Sequence, residues 1–418
     1  MPEILITGRR VSAPWLHSAP LKKVFAAIAA GNEEARVVGG AVRNALIGRP
    51  VTEIDLATTA TPDDVIRLAR AAGLGAHPTG IDHGTVTLVA DEATFEVTTL
   101  RRDVATDGRH AVVAFTKAWD EDARRRDFTI NALYCAEDGT LYDPIGGLDD
   151  LVRRRVRFIG DAKARIEEDY LRILRFFRFS AEYGNGELDP TSLGAACALK
   201  DGLKRLSPER VRNEVLRLLA APKAAEIVRV MHQSGILALI IPGTPDPDCL
   251  AHLVGIEHDL GQPPDTLARL AALAVVAPSA APELAKRLRL SNGEAARLET
   301  AAIIEPRLDP SLARNSGRAV LYDLGPESFR RAVRVAWARS GASPSDPGWR
   351  ALALLPDRWK APRAPFSGSD VLALGVPPGP AVGRILAAFE AWWIASDFPN
   401  DVPRLRDKLK ELVGSGPG

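Results

Sequence analysis

Strand-like runs are confined to the first third of this chain. Short stretches rich in Val and Thr, at Arg36–Val38, Thr85–Val89, Phe95–Leu100 and Ala111–Phe115, are bounded by Gly, Asp and His-Gly turns. From about Lys163 onward Leu, Ala and Arg recur at helical spacing, and the strand pattern does not return. Such a chain closes its sheet early and must build the remainder from helix packing. The pattern predicts an α+β head with a small mixed or antiparallel sheet, followed by an all-α body and tail. Helices are expected around Leu21–Ala30 and from about Pro62 to Ala72, where Thr61 is a good N-cap and Pro62 suits the first helical position. A length of 418 residues suits two to four domains. Proline-rich joints near Ile241–Pro247, Gln262–Pro264 and Lys360–Pro365 help to divide the chain at residues 1–150, 151–220, 221–345 and 346–418.

Charge says little about partners. The formal net charge is +1, so any RNA-binding surface must be a local basic patch and not a bulk field. Three scattered cysteines, Cys135, Cys197 and Cys249, have neither disulfide parity nor metal-ligand spacing, which favours a reducing compartment. The segment Met1–Arg10 lacks the features of a signal peptide, and no apolar run reaches the roughly 18 residues needed to span a bilayer. A cytoplasmic protein without membrane partners is expected, and nothing specifies its oligomeric state.

Chemistry-bearing residues gather in the head. A short strand runs into Gly39-Gly40, and a helix follows. Glycines at such a junction let backbone N–H groups approach a phosphate, and Arg43 in the first turn would point the same way. Further on, Glu53-Ile54-Asp55 places two carboxylates at i and i+2. In a strand both would share one face, as a pair of hard cations carrying a triphosphate requires. Taken singly, a Glu-x-Asp pair is usually a solvated strand face and a Gly-Gly is usually a turn. Glu96 alternates with apolar residues and is either a third acid beside the pair or an outward-facing strand residue.

Taken in order, the motifs resemble a known family. Gly39-Gly40-Ala41-Val42-Arg43, the Glu53/Asp55 pair, Arg124-Arg125-Arg126-Asp127-Phe128-Thr129-Ile130-Asn131-Ala132, Tyr142-Asp143-Pro144-Ile145-Gly146-Gly147, Glu168-Asp169-Tyr170-Leu171-Arg172 and Ser207-Pro208-Glu209-Arg210 are similar to the class II nucleotidyltransferases. These comprise tRNA CCA-adding enzymes and bacterial poly(A) polymerases. The resemblance implies a polymerase β-like palm in the head, a base-reading neck at 151–220, a helical body and a tRNA-binding tail. It implies two Mg²⁺ ions at Glu53 and Asp55, with tRNA, CTP and ATP as partners. Gly39, Gly40 and Arg43 would steady the triphosphate, and Arg125, Arg126 and Asp127 would recognise the ribose. Arg101–Arg109 would be a flexible loop. Two positions depart from the family pattern: Asn44 and Glu53 stand where aspartate is usual.

The base reader is the most legible feature. Helical spacing would make Asp169 and Arg172 neighbours, with Arg175 and Arg178 continuing the series towards the triphosphate. Aspartate accepts from an exocyclic amine and arginine donates to a ring acceptor. Cytosine and adenine present that combination; uracil and guanine do not. Without the resemblance, a surface ion pair would explain the same spacing. Poly(A) polymerase activity, addition of only CC or only A, and an RNA-binding module with a degenerate head stay open at this point. His258-Asp259 is expected to be structural, and Phe389, Trp392 and Trp393 are expected to be core. Lys200, Lys204, Arg205, Arg210 and Arg212 form a candidate RNA patch, and Arg384 near the Gly375–Gly383 turn marks another.

Overall fold

The computed structural model describes residues 10–107, 110–275, 277, 279–304, 308–310 and 314–414. Two compact units divide after Ile240. In the first, α1 (Ala19–Ala29) precedes β1 (Ala35–Val38), α2 (Gly40–Leu46), β2 (Asp55–Thr58), α3 (Pro62–Ala71), β3 (Gly75–Gly80), β4 (Thr85–Ala90) and β5 (Ala93–Thr99). A ribbon of β6 (Arg101–Asp107) and β7 (His110–Phe115) leads to α4 (Trp119–Arg124), β8 (Tyr134–Cys135) and β9 (Leu141–Tyr142). Helices then take over: α5 (Gly147–Val152), α6 (Ala162–Glu168), α7 (Leu171–Tyr183), α8 (Pro190–Ala198), α9 (Pro208–Ala220), α10 (Ala224–Gln233) and α11 (Leu237–Ile240).

The main sheet runs β3-β4-β5-β2-β1-β8-β9. Its pairings are antiparallel except β2 with β5, which is parallel. A parallel pair needs a crossover, and α3 with the β3–β4 hairpin supplies it. Thr61 caps α3 by accepting from the Asp64 N–H, with Pro62 in the first turn. Alternation buries Val86 and Leu88 on β4 and Phe95 and Val97 on β5, so one face packs on the core. Phe128, Phe158, Phe176 and Phe179 form a ring cluster that ties the motif after α4 to α7, with centroids 5.0 Å apart for Phe128–Phe158 and 5.1 Å for Phe128–Phe179.

Two expectations need correction. Arg101–Asp107 is a strand paired with β7 in its own two-stranded ribbon, not a loop. Gly108 and Arg109 lie outside the described residues. Glu53 and Ile54 also do not belong to a strand, because β2 begins at Asp55. On the β1 side the pairing ends at Val38↔Asp55, where the chain turns at Gly39, while β5 runs on past Glu96 to Ala93 without pairing to residues 53 and 54.

The second unit is helical among its described residues: α12 (Pro247–Asp259), α13 (Thr266–Ala274), α14 (Ala280–Leu288), α15 (Asn292–Ile304), α16 (Arg314–Ser340), α17 (Pro347–Ala353), α18 (Leu355–Arg358), α19 (Gly368–Ala373), α20 (Pro380–Ala395) and α21 (Val402–Gly414). A break at Gly325-Pro326 interrupts α16, where Pro removes a helical donor. Phe389 and Trp393 are buried with Val371, Ile385, Leu405 and Leu409, and Trp392 packs against them. Asp259 pairs with Arg350 at 2.5 Å, and His252 Nδ1 lies 2.9 Å from the Ala338 carbonyl. Both are internal structural contacts. No helix among the described residues is long and apolar enough to cross a membrane.

Candidate active site

Asp55 opens β2 and stands in register with Glu96 on β5. Glu53 reaches the same place from the segment before the strand. Burial pushes the Asp55 carboxyl above its ordinary range, Glu96 and then Glu53 push it further, and Arg126 opposes them. Among the described residues no ion pair involves Glu53, Asp55 or Glu96. Arg126 is the opposing charge that Asp55 feels, and it is paired with Asp122 and not with any of the three carboxylates. Among the described residues no group of three or more His, Cys, Asp or Glu side chains is arranged to hold a metal ion. Asp55 and Glu53 offer hard oxygen donors, which would leave phosphate oxygens and water to complete a cation's shell.

Beside this cluster the chain turns from β1 into α2. Gly39 adopts φ 69°, ψ −114°, a conformation that disfavours any side chain. A Cβ there would lie 3.5 Å from the Asn131 carbonyl and 3.9 Å from Arg126 Nη1. One turn on, Arg43 is only 6% exposed. It donates to Asn131 Oδ1, to the Tyr183 hydroxyl (2.7 Å) and to Asn44 Oδ1 (3.4 Å), and its guanidinium lies 4.0 Å from the Tyr183 ring centroid. All three acceptors are uncharged, and burial lowers the pKa of Arg43. Its Nε is buried without a partner. Asn44 also donates to the Pro50 carbonyl at 3.2 Å, so the residue that replaces the usual aspartate holds the turn after α2.

From Arg43 a polar chain runs through the site. Asn131 donates to Asp127 at 2.9 Å, and Asp127 accepts from Arg175 Nε and Nη2 at 2.8 and 2.6 Å. Burial alone would raise the Asp127 carboxyl, but Arg175 and the bonds from Asn131 and the Phe128 N–H hold it at about 2. Arg178 bonds Glu214 on α9 at 2.5 Å, and Arg175 approaches the same carboxylate at 3.8 Å. Arg175 and Arg178 are thus held by carboxylates in this state, not presented to a ligand. Arg125 and Arg126 both pair with Asp122, at 2.6 and 2.9 Å, and the Tyr134 hydroxyl donates to it at 2.8 Å. Burial works against the Asp122 charge, and the two arginines overcome it.

The base-reading pair is arranged differently from the helical expectation. Asp169 is extended (φ −156°, ψ 108°) after the end of α6, and Tyr170 precedes the first residue of α7. Asp169 and Arg172 therefore sit on either side of a joint between helices, not on one helical face. Asp169 accepts from the Leu171 N–H at 3.1 Å just before α7, and it pairs with Arg210 on α9 at 2.6 Å. Arg172 donates to the Arg165 carbonyl at 2.9 Å and pairs with Glu168. Gly202 makes room for this joint, since a Cβ there would fall 1.9 Å from the Tyr170 ring. Within the candidate patch, Arg210 is taken up by Asp169, Lys204 by Asp201 at 2.6 Å and Lys200 by the Ser234 carbonyl at 2.8 Å.

Asp122, Glu168, Tyr183 and Glu214 escaped sequence reasoning. Each acts by holding an arginine, and an isolated Asp, Glu or Tyr carries no local signature of that role. Only the i, i+3 and i, i+4 spacing of Asp122 to Arg125 and Arg126, and of Glu168 to Arg165 and Arg172, offered a signal.

Comparison with known proteins shows what this chain is similar to. The family described as "Poly A polymerase head domain" matches residues 35–157, and the one described as "Probable RNA and SrmB- binding site of polymerase A" matches residues 187–246. The mouse (Mus musculus) protein "CCA tRNA nucleotidyltransferase 1, mitochondrial" is 33% identical over 410 residues, covering 95% of this chain and 91% of the relative. The chain belongs to the CCA-adding tRNA nucleotidyltransferase family. A Limosilactobacillus fermentum CCA-adding enzyme is 30% identical over 94% of this chain and 97% of its own length. The crystal structure of the Bacillus stearothermophilus CCA-adding enzyme in complex with CTP superposes with a TM-score of 0.74 at 27% identity, covering 95% of this chain and 98% of that one. A CCA-adding nucleotidyltransferase head followed by helices is the architecture described above, and divalent-metal use is general in this family of enzymes.

Proposed function

We propose that this protein adds C, C and A to the 3′ end of tRNA without a nucleic-acid template. The carrying observation is the carboxylate cluster formed by Asp55 on β2, Glu96 in register with it on β5 and Glu53 just before β2, beside the Gly39-Gly40 turn. The reaction is in-line attack of the RNA 3′-hydroxyl on the α-phosphate of CTP or ATP: the new O–P bond forms as the bond to pyrophosphate breaks. Two Mg²⁺ ions held by Glu53 and Asp55, with Glu96 as the third acid, supply activation of the hydroxyl and neutralisation of the leaving oxygens when bound. The Gly40 backbone N–H and the buried Arg43 steady the triphosphate, while the Gly39 N–H is bonded to the Leu133 carbonyl at 3.0 Å and Gly39 supplies the turn. Arg125, Arg126 and Asp127 orient the ribose, and Arg175 and Arg178 brace the pocket wall.

Asp169 and Arg172 read the base. Each exchanges its present partner, Arg210 or Glu168, for an edge that offers an amine beside an acceptor. A mismatched edge leaves a buried polar group unpaired, at a cost of about 1–3 kcal/mol. Asp169→Ala is therefore expected to relax the choice among the four nucleotides by roughly tenfold or more. Metal affinity should be little changed. Equal loss of incorporation for all four, with selectivity intact, would remove the pair from this role.

Residues 1–150 are assigned to catalysis and 151–220 to base reading, with 221–345 and 346–418 gripping the tRNA by backbone and shape. Three free thiols suit a reducing compartment, the cytoplasm. The decisive test offers tRNAs ending at the discriminator base, after C and after CC, with each labelled nucleotide and Mg²⁺. Sequential C, C, A and then a stop is expected; a long A tract on any RNA, or addition of only CC or only A, overturns the reading.

A further inference from the structure

Half of the head sheet carries a polar row that continues outward from Asp55 and Glu96 to two residues the chemistry above does not use, Thr87 and His77. Cross-strand partners share a face. Asp55 pairs with Glu96, Glu96 with Thr87 and Thr87 with His77. Four side chains on β2, β5, β4 and β3 thus stand in line on the carboxylate face. At about 4.8 Å per rung, Thr87 lies about 10 Å and His77 about 14 Å from Asp55.

This half of the face is open: Glu96 and His77 are exposed and Thr87 is half-buried. Across β2 the same face is closed, with Val38, Ala57 and Tyr134 buried in a cluster with Ala123 of α4. The open half is lined by hydroxyls. Thr79 and Thr87 lie 2.5 Å apart through their Oγ1 atoms, and Thr85 and Thr98 lie 3.0 Å apart. Two facing hydroxyls use one proton between them, which leaves the other O–H free to donate. His77 makes no hydrogen bond among the described residues.

The position of the row relative to the Gly39-Gly40 turn gives it a meaning. That turn follows β1, on one flank of Asp55, and the row occupies the other flank. In-line displacement requires the attacking oxygen and the leaving pyrophosphate on opposite sides of phosphorus. If the triphosphate lies on the β1 flank, the acceptor must enter from the β5–β4 flank. Beside Glu96 a neutral ribose hydroxyl is tolerated where a phosphate would be repelled, and the histidine sits further out, where the preceding phosphate would fall.

We propose that Thr87 binds the 2′-hydroxyl of the 3′-terminal ribose of the RNA acceptor and that His77 contacts the phosphate before it. The row would then distinguish an RNA end from a DNA end, since the 2′-hydroxyl is the group that differs. This rests on the nucleotidyltransferase reading, but its test does not require turnover. Equilibrium binding of the full chain to tRNA ending in C, with a ribo or a 2′-deoxy terminus, is measured by fluorescence anisotropy for wild type, Thr87→Val and His77→Gln. Valine keeps the branched strand shape and removes only the hydroxyl.

Wild type should bind the ribo end about three- to tenfold more tightly than the deoxy end. Thr87→Val should lose that ratio, and His77→Gln should weaken both ends while preserving it. A Thr87→Val protein that discriminates like wild type, or a His77→Gln protein that binds both ends like wild type, overturns the proposal. In incorporation assays Thr87→Val should raise KM for the RNA with KM for CTP and kcat unchanged; a shift in the CTP constant instead also overturns it. Wild type that binds with this preference yet incorporates no nucleotide would strike the reaction and leave the row standing.

Discussion

Asp55→Ala is expected to lower nucleotide incorporation by about a thousandfold or more, equivalent to about 4 kcal/mol of transition-state stabilisation, while leaving the fold at least as stable. Both halves follow from one arrangement. Asp55 is the carboxylate towards which Glu53 and Glu96 are gathered, and no cation among the described side chains pairs with it. Its removal takes away the centre of the proposed metal-binding set. The sign of the stability effect follows from the pKa. The folded value is raised, so folding disfavours the ionised form, and above the ordinary carboxylate range the charge opposes folding. Replacing it relieves that repulsion. Single-turnover incorporation and the thermal midpoint, both at pH 7.5, check the pair of outcomes. A variant that loses stability as well as activity would show that Asp55 holds the sheet together and is not stored at a cost for function.

Asp127→Asn should act in the opposite sense, as the loss of a structural anchor with a functional consequence. Asp127 accepts from Arg175 twice, from Asn131 and from the Phe128 N–H. Its carboxyl sits at about 2 in the folded protein, against an unfolded value of about 3.9. The depressed pKa contributes roughly 2–3 kcal/mol, and Arg175, left with only the longer 3.8 Å contact to Glu214, adds to the damage. The contribution is present in full above about pH 5 and is lost as pH falls towards 2. Urea midpoints should therefore differ most between wild type and variant near neutrality, and the gap should narrow at pH 3. An unchanged gap would mean that hydrogen-bond geometry, and not charge, is what the aspartate supplies. Because Asn131 also holds Arg43, KM for CTP and ATP should rise as well, by about tenfold.

How much of this was legible depended on how local each signal was. The change from strands to helices, the cap at Thr61-Pro62 and the turn at Gly39 are written in neighbouring residues, and the chain folds as they indicate. The position of Glu96 beside Asp55 is not local. It depends on a parallel pairing across a helix and a hairpin, so the sequence left it undecided between a third acid and a surface residue. Alternation misplaced Glu53, because the β1 ladder ends at Val38↔Asp55, where Gly39 turns, and the residues before Asp55 do not pair with β5 either. Helical periodicity likewise ran unbroken through Glu168-Asp169-Tyr170-Leu171, with no Gly or Pro to mark the joint. The arginine-holding acids Asp122, Glu168 and Glu214 are products of packing and leave little trace in composition.

The lone parallel pairing also governs when the enzyme comes into being. Asp55 leaves the ribosome before Glu96, and the two can meet only after the intervening α3, β3 and β4 have emerged and β5 has paired directly beside β2. Long-range parallel closure is a slow step that must overcome loop entropy before its contacts form. A nascent or half-folded chain can therefore expose Gly39-Gly40 and Asp55 without presenting a complete carboxylate set. Its capacity to bind divalent cations should rise together with closure of the sheet, so that chemistry is withheld from every species that has not finished folding its head.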